Sequence, residues 1–219
     1  MSTSPRRTVR GGVPAQQRDL RPQGKKTVGH LLEAAVSVLA AMGYQAARVE
    51  DIVRAANTSH GTFYLYFANK EDLLRALAQE CSEDMNRLAD QLGPVGPGED
   101  GLAELRAWIL DFSSTYQRHA PVIRAWSEQQ VQGPEMEELG VQAFEQITSR
   151  LVDRLEGVSR SAAASAEPAT AAVALLALLE RFSYYRISRD LYGDDDDEWL
   201  DTLSVMVHRG FFGGGRRRR

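Results

Sequence analysis

The 219-residue sequence contains little of what marks secreted, membrane or disulfide-bonded proteins. Its one cysteine, Cys81, cannot form a disulfide within the chain. The longest apolar run, residues 171–179, is far shorter than the roughly 20 residues that a membrane-spanning helix needs. The first thirty residues contain no apolar segment of the kind found in secretory leaders. We therefore expect a cytoplasmic protein without a membrane partner.

Signatures of metal binding and of catalysis are also missing. The four histidines are isolated, and no Cys/His cluster has the spacing of a zinc site. The aspartates at residues 194–197 lack the spaced pattern of a calcium loop and are read as a solvated acidic loop. No G-x-S-x-G elbow, Walker A loop or dinucleotide fingerprint is present. We expect neither an enzyme nor a bound metal or cofactor.

Charge is distributed unevenly along the chain. The formal net charge is -4, yet residues 1–30 carry +6 and the last four arginines carry +4, so residues 31–215 carry -14. Attraction to phosphates acts within a Debye length of about 8 to 10 Å, so a basic end on an acidic body can bind a polyanion. Residues 1–24 are expected to form a disordered basic arm and residues 213–219 a flexible basic tail. Whether either segment contacts nucleic acid or only keeps the chain soluble stays open.

Hydrophobic periodicity predicts helices throughout, and no stretch alternates like a strand. An amphipathic stripe begins at Lys25 and is ended by Gly43. A second, two-turn stripe over residues 49–56 is closed by Asn57, which tolerates the left-handed conformation of a tight turn. Ser59 is placed to cap a third short helix.

A fourth helix is predicted from a capping-box pair, Asn69 and Asp72, to the breaker at Gly93. The Gly- and Pro-rich stretch 93–101 predicts a domain boundary or a long loop. Further helices are expected at residues 102–118, 121–131, 135–157, 167–190 and 197–211, with Pro121 separating the first two.

Residues 47–74 combine two short helices, a tight turn and several polar and aromatic side chains. The helix that begins near Ser59 is too short to be stable alone, so its neighbours must hold one face and leave the other free. Phe63 and Phe67 are the expected core anchors. Gly61 would allow the backbone to approach a phosphate closely near the helix N-terminus.

The run SHGTFY at residues 59–64, followed by YF at 66–67 and NKEDLL at 69–74, resembles the recognition-helix signature of tetracycline-repressor (TetR) regulators. The sequence DIVRAA at residues 51–56 precedes it at the family's usual spacing. The resemblance implies an all-α chain with an N-terminal three-helix helix-turn-helix DNA-binding domain and a C-terminal helical bundle for ligand binding and dimerisation. The corresponding domains would be residues 25–70 and 71–212.

The resemblance also implies that the start of the recognition helix faces the major groove or its flanking phosphates, while Tyr66 and Lys70 contact the DNA backbone. Arg48 stands where the family usually has a Ser or Thr cap, and we expect it to contact a phosphate instead. Asn57-Thr58 replaces the usual Gly-Val of the turn. A plain exposed polar residue is the alternative for His60, and a plain surface charge for Lys70. The DNA-binding candidates are Arg48, Ser59, His60, Gly61, Thr62, Tyr64, Tyr66 and Lys70.

The C-terminal helices are rich in large apolar side chains, and most of these are expected to be ordinary core. In TetR-type proteins the middle helices enclose a small-molecule pocket, and the last two helices form a four-helix dimer interface. The resemblance therefore implies a homodimer and a small-molecule effector, which the apolar residues suggest is hydrophobic. The candidate lining residues are Trp108, Phe112, Tyr116, Trp126, Phe144 and Tyr185.

These inferences predict a ligand-responsive DNA-binding regulator, most simply a repressor that binds a palindromic operator as a homodimer and is released by its effector. Two alternatives remain at this point. An architectural DNA-binding protein would bind without sequence preference, and a helical carrier or enzyme would not need the recognition-helix side chains at all.

Overall fold

The computed structural model describes residues 21–127, 134–156, 167–189 and 196–212. These residues are helical and include no strand, which confirms the all-α prediction for the described part of the chain. The predicted arm up to residue 20, the predicted tail 213–219 and the first two residues of the acidic run lie outside the described residues. The helices are α1 (Pro22–Ala46), α2 (Val49–Ala55), α3 (His60–Tyr66), α4 (Lys70–Gln91), α5 (Glu99–Ser127), α6 (Pro134–Glu156), α7 (Pro168–Arg189) and α8 (Asp196–Val207), followed by a π-helical turn (His208–Phe212).

The described residues divide into two compact units. The N-terminal unit contains the residues up to Ala78 together with those from Pro121 to 127, and the C-terminal unit contains Gln79–Ala120 and the described residues after 132. The divisions therefore fall inside α4 and α5. The loop at residues 92–98, part of the predicted linker, lies within the C-terminal unit rather than between the units.

Helix α1 is the core helix of the N-terminal unit. It is long and apolar enough to cross a bilayer by length and composition, the one such helix among the described residues. In this fold Leu31, Ala35 and Leu39 on its apolar side are buried. Its first residue is Pro22, where the missing N–H costs nothing, so the helix begins inside the predicted arm. Gly43 breaks the helix with φ 76°, as the sequence predicted.

Helix α5 continues through Pro121, so the predicted break at this residue is wrong. A proline inside a helix removes one backbone hydrogen bond and usually bends or ends the helix. Here Val122 and Ala125, on the next turn, are almost completely buried. We attribute the continuation to the packing of these residues, which offsets the local preference.

The loop before α5 folds back on the first turn of that helix. A Cβ atom at Gly101 would clash with the backbone of Gly96, so only glycine fits this close approach. The buried ring of His208 lies with its Nε2 2.8 Å from the carbonyl oxygen of Gly96. The loop is thus held from two directions, which explains why a Gly-rich segment is ordered here.

Cys81 lies on α4 and is 5% exposed. Burial, reinforced by the nearby charges of Asp84 and Glu80, raises the pKa of its thiol to about 12. The side chain therefore packs as a small apolar group.

Candidate DNA-binding surface

The seven-residue helix α3 is held to its unit by two aromatic anchors. Phe63 is 0% and Phe67 1% exposed, and their ring centroids are 5.6 Å apart. The prediction that both are core residues is confirmed. A helix of two turns is not stable alone in water, so these anchors determine which side of α3 faces solvent.

Capping and turn chemistry determine where α3 begins. The backbone N–H of Thr62 donates to Ser59 Oγ at 3.1 Å, and the two hydroxyl oxygens are 3.0 Å apart. Asn57, in the turn before this cap, has φ 48° and so adopts the predicted left-handed conformation. Both local predictions are confirmed.

The solvent side of α3 presents a pair of stacked rings. Tyr64 is 56% exposed, and its ring centroid lies 6.4 Å from that of His60 with 25° between the planes. Leu65 is 57% exposed beside them, a residue that the sequence reasoning passed over. The signal was available, since burying positions 63 and 67 on a helix directs positions 64 and 65 outward.

Gly61 lies on the exposed side of α3 near its N-terminus. A Cβ atom here would make only an ordinary contact, 3.6 Å from Ser59 Oγ. The fold of this chain therefore does not itself require glycine at this position.

Arg48 precedes α2 and is exposed. Its backbone N–H donates to Asp51 Oδ2 at 3.1 Å, which is one half of a capping box. A guanidinium carries donors only and cannot supply the other half. The side chain makes no capping hydrogen bond, which leaves it available on the surface.

The start of α4 is capped as the sequence predicted. Asn69 Oδ1 accepts from the backbone N–H of Asp72 at 2.7 Å, and Asp72 Oδ2 accepts from that of Ala68 at 3.0 Å. Asp72 is 4% exposed and also pairs with Arg75 at 3.2 Å. The first turn of α4 is therefore bonded to the two residues that precede it, Ala68 and Asn69.

Three of the DNA-binding candidates, Thr62, Tyr66 and Lys70, are less exposed than the other five. Tyr66 is half-buried at the end of α3, and Lys70 is half-buried at the start of α4. Lys70 Nζ donates to the carbonyl oxygens of Tyr44 at 2.7 Å and of Ala47 at 2.9 Å. Burial lowers the pKa of Lys70, and the charge of Glu71 partly opposes this.

Three of the six ligand-lining candidates form a row along α5. Trp108, Phe112 and Tyr116 are buried, with centroid distances of 5.8 and 6.5 Å between successive rings. Trp108 Nε1 also donates to the carbonyl oxygen of Leu88 at 2.8 Å, near the end of α4. These three candidates therefore lie next to one another in the core of the C-terminal unit.

The other three candidates are less buried than the residues of this row. Trp126 is half-buried in the N-terminal unit, and Phe144 on α6 and Tyr185 on α7 are 49% and 46% exposed. A cleft of about 420 Å³ between α4 and α5 is lined by none of the six. Its lining is mainly polar and consists of Asp84, Arg87, Leu88, Gln91, Asp111, Ser114, Thr115 and Arg118.

Asp84 is the most connected residue of this cleft. Its Oδ2 lies 2.9 Å from Nε2 of the buried His119 and 3.4 Å from a guanidinium nitrogen of Arg118, and Arg87 pairs with its other oxygen. Burial acts to raise the pKa of Asp84, but the hydrogen bond and charge of His119, with the two arginines, lower it below its ordinary value. The carboxylate is thus held in its ionised form.

Several large apolar residues of α7 and α8, the helices that the resemblance assigns to a dimer interface, are internal to the C-terminal unit. Leu175, Leu179, Trp199 and Leu203 are nearly fully buried within the single chain, because α7 and α8 use these residues as core. Met206 on α8 is 59% exposed, and Val173 and Tyr185 on α7 are 40% and 46% exposed. Across the residues described, no group of three or more His, Cys, Asp or Glu could hold a metal ion.

Residues 31–77 match the family model described as bacterial regulatory proteins, tetR family. The fatty acid metabolism regulator protein of Bacillus subtilis (strain 168) is 46% identical over 74 residues, which cover 33% of this chain and 38% of that protein. The HTH-type transcriptional regulator EthR of Mycobacterium tuberculosis (strain ATCC 25618 / H37Rv) is 26% identical over 208 residues, which cover 93% of this chain and 95% of the relative. The resemblance to the TetR family is confirmed for the helix-turn-helix residues.

Among solved structures, the transcriptional regulator FadR from Bacillus subtilis in complex with stearoyl-CoA superposes with a TM-score of 0.62 and 20% identity. The superposition covers 86% of this chain and 99% of that structure, and at this identity it shows the shared fold alone. The chain spans 38% to 47% of the length of three of the curated regulators that it matches. The fold thus agrees along most of the chain, whereas the family model matches residues 31–77.

Proposed function

We propose that this chain, a helix-turn-helix transcriptional regulator of the TetR family, is a ligand-responsive repressor that binds a palindromic operator as a homodimer. The observation that carries the proposal is the solvent side of α3, where His60 and Tyr64 stack above the buried anchors Phe63 and Phe67. A rigidly held helix with exposed polar and aromatic side chains is what a major-groove reader needs. We also propose a cytoplasmic location.

In this role His60 and Thr62 reach base edges, because they lie at the N-terminal end of α3. Ser59, Tyr64 and Tyr66 contact the flanking phosphates and fix the register. Arg48 adds a phosphate contact from the start of α2. Its guanidinium is exposed and makes no capping hydrogen bond, which supports this role.

The glycine at position 61 supports the same role. The chain has room for a Cβ atom there, so neither packing nor backbone conformation accounts for the glycine. A DNA backbone lying against the N-terminus of α3 would account for it, since the helix dipole and free N–H groups attract a phosphate. Gly61→Ala should leave the unfolding midpoint nearly unchanged and weaken operator binding about tenfold or more.

The homodimer would place two recognition helices about one DNA turn apart, roughly 34 Å, on the two halves of a palindrome. The exposed apolar residues Val173, Tyr185 and Met206 on α7 and α8 are apolar surface that a second copy could cover, which supports the dimer. Sedimentation at micromolar concentration should therefore report a dimer, and a monomer under operator-binding conditions would contradict this part of the proposal.

The effector is proposed to be small and hydrophobic. The buried row of Trp108, Phe112 and Tyr116 supplies an apolar lining, and Trp126, Phe144 and Tyr185 remain candidates that would have to approach it on binding. The B. subtilis FadR structure was solved with stearoyl-CoA, which makes this molecule the first probe to test. Added stearoyl-CoA should release the protein from the operator, and free CoA should not. An operator affinity that is the same in the presence of either molecule would contradict an acyl effector.

The central test mixes the purified protein with a library of random double-stranded DNA at about 150 mM salt, where non-specific phosphate binding is weak. The fragments that the protein retains are then sequenced. Enrichment of a palindrome supports the regulator. Retention without any enriched sequence would instead favour an architectural DNA-binding protein, and no retention would contradict DNA binding.

Tyr64→Ala sharpens that test with a matched control. It removes an exposed ring from α3 and should weaken binding of the selected palindrome by roughly 1 to 3 kcal/mol. Val141→Ala removes a side chain of similar exposure, 52%, from α6 and should leave binding unchanged. Equal losses in both variants would point to a general effect on folding rather than to a DNA contact.

A further inference from the structure

We infer that Lys70 is a positioning residue of the DNA-binding domain, which attaches the start of α4 to the turn between α1 and α2 rather than to a DNA phosphate. This inference rests on the proposed DNA-binding function. It replaces the role that the family resemblance implies for Lys70. The contacts of the Lys70 ammonium and the Tyr44 ring all lie within the N-terminal unit.

Three contacts surround the Lys70 ammonium, and a fourth joins Tyr44 to Glu71. Its Nζ donates to the carbonyl oxygens of Tyr44 and Ala47, and it lies 4.1 Å from the centroid of the Tyr44 ring. The hydroxyl of Tyr44 donates to Glu71 Oε1 at 3.1 Å. Tyr44 is 5% exposed, and its buried side chain contacts two consecutive residues of α4, Lys70 through the ring and Glu71 through the hydroxyl.

The two carbonyl groups lie where α1 ends and α2 begins. Gly43 breaks the helix, and the carbonyl of Tyr44 is among the last groups of α1, which lack partners further along the helix. A cation at a helix C-terminus is favourable because it meets the negative end of the dipole. Ala47 is followed at once by Arg48, so Lys70 determines where the proposed phosphate contact and the first turn of α2 are placed.

The same geometry disfavours a phosphate as the partner of Lys70. Two of its three N–H bonds point to carbonyl oxygens inside the protein, and the side chain is half-buried. The adjacent Glu71 carboxylate is exposed and would repel a phosphate at this place. Arg48, in contrast, is exposed and its side chain makes no capping hydrogen bond.

The test compares the salt dependence of operator binding in Lys70→Gln, Lys70→Met and Arg48→Gln. The slope of log K against log salt is negative, and each lost phosphate contact reduces its magnitude by about 0.9. We expect this reduction for Arg48→Gln and an unchanged slope for both Lys70 variants. Lys70→Met, which has no donor, should bind about tenfold more weakly at every salt concentration, and Lys70→Gln, whose amide can still donate, should lose less.

The inference would be overturned if the magnitude of the slope fell by about one in both Lys70 variants, with equal losses of affinity. Unchanged affinity in both would also overturn it. If Lys70→Met does not fold, which its melting curve reports, Lys70→Gln carries the comparison.

A second measurement needs no DNA and separates this inference from the proposed function. The amide of Ala47 donates to the carbonyl of Gly43, and that of Asp51 to the carbonyl of Arg48, on either side of the attachment. Hydrogen exchange at these amides should become about tenfold faster in Lys70→Met than in wild type. Unchanged exchange would overturn the positioning role even if operator binding is intact, whereas a wild type that binds no DNA would refute only the proposed function.

Discussion

The starts of the short helices in the N-terminal unit and the joins between helices in the C-terminal unit depend on different kinds of polar contact. In the N-terminal unit α2 and α3 begin with capping bonds between residues three apart, such as Ser59 with Thr62. In the C-terminal unit several polar contacts join helices that are distant in sequence. Asn86 donates to Gln146, 60 residues away, and Arg106 pairs with Asp201, 95 residues away.

This difference explains why the two functional regions are not equally readable from sequence. A cap and the side of a short helix depend on a few adjacent residues, so the exposed surface of α3 follows from the local pattern. A ligand pocket depends on which long helices meet and at what register, and side-chain periodicity does not specify this. The predictions below test whether the contrast holds, beginning with the largest expected effect.

Phe63→Ala should be the most damaging substitution in the N-terminal unit. It removes a fully buried ring from a seven-residue helix and should lower the free energy of unfolding by about 3 to 5 kcal/mol. The adjacent Tyr64→Ala, at an exposed position, should change it by about 0.5 kcal/mol or less. Urea denaturation followed by circular dichroism measures both, and similar costs would mean that α3 is not anchored as described.

Trp108→Phe tests a long-range contact of the C-terminal unit. The indole N–H supplies a partner to the carbonyl of Leu88 in the last turn of α4, and phenylalanine keeps most of the ring but removes the donor. We expect a loss of about 1 to 3 kcal/mol in unfolding free energy, because a buried carbonyl is left without this partner. A cost below about 0.5 kcal/mol would show that another donor replaces the indole.

Ser59→Ala tests the cap of α3 and should cost about 1 kcal/mol. Ser59→Gly should cost only a few tenths of a kcal/mol, because glycine is itself acceptable at a helix N-cap. Both variants remove the hydroxyl, but only alanine also disfavours the backbone conformation of an N-cap residue, so the pair separates these two effects. If alanine and glycine behaved alike in thermal melts, the cap would not depend on backbone conformation as we argue.

Asp84→Asn should have the smallest effect and a distinctive pH dependence. The folded protein holds the pKa of Asp84 below its ordinary value of 3.8, so its carboxylate stabilises the fold fully above that value and less as pH falls through the lower folded pKa. Because the paired arginines are exposed, we expect a cost of only about 0.5 kcal/mol near pH 6. The difference between Asp84→Asn and wild type should shrink as the pH falls below 3.8, and a constant difference would contradict ionic stabilisation.

Most of the fold was predictable from sequence because its signals are local. The break at Gly43, the left-handed Asn57 and the capping pair Asn69 and Asp72 each act within a few residues. The break expected at Pro121 fails because burial of the following turn outweighs the local cost of proline.

The candidate site divides in the same way. The exposure of Tyr64 and the burial of Phe63 follow from helix periodicity, whereas the contacts of Lys70 do not. They depend on a meeting of α1 and α4 across 26 residues of sequence, which spacing within α4 cannot indicate. Phe144 and Tyr185 are aromatic residues of the kind expected in a core. About half of each is nevertheless exposed to solvent, because tertiary packing does not cover them.

The burial of Cys81 has a practical consequence for spectroscopy. Its thiol, with a pKa near 12 and almost no exposed surface, should react very slowly with maleimide at neutral pH. Since the chain has no other cysteine, a new one introduced at an exposed position could carry a fluorophore without first removing the native residue. Labels of this kind would allow motions of either unit to be followed in the otherwise unmodified protein.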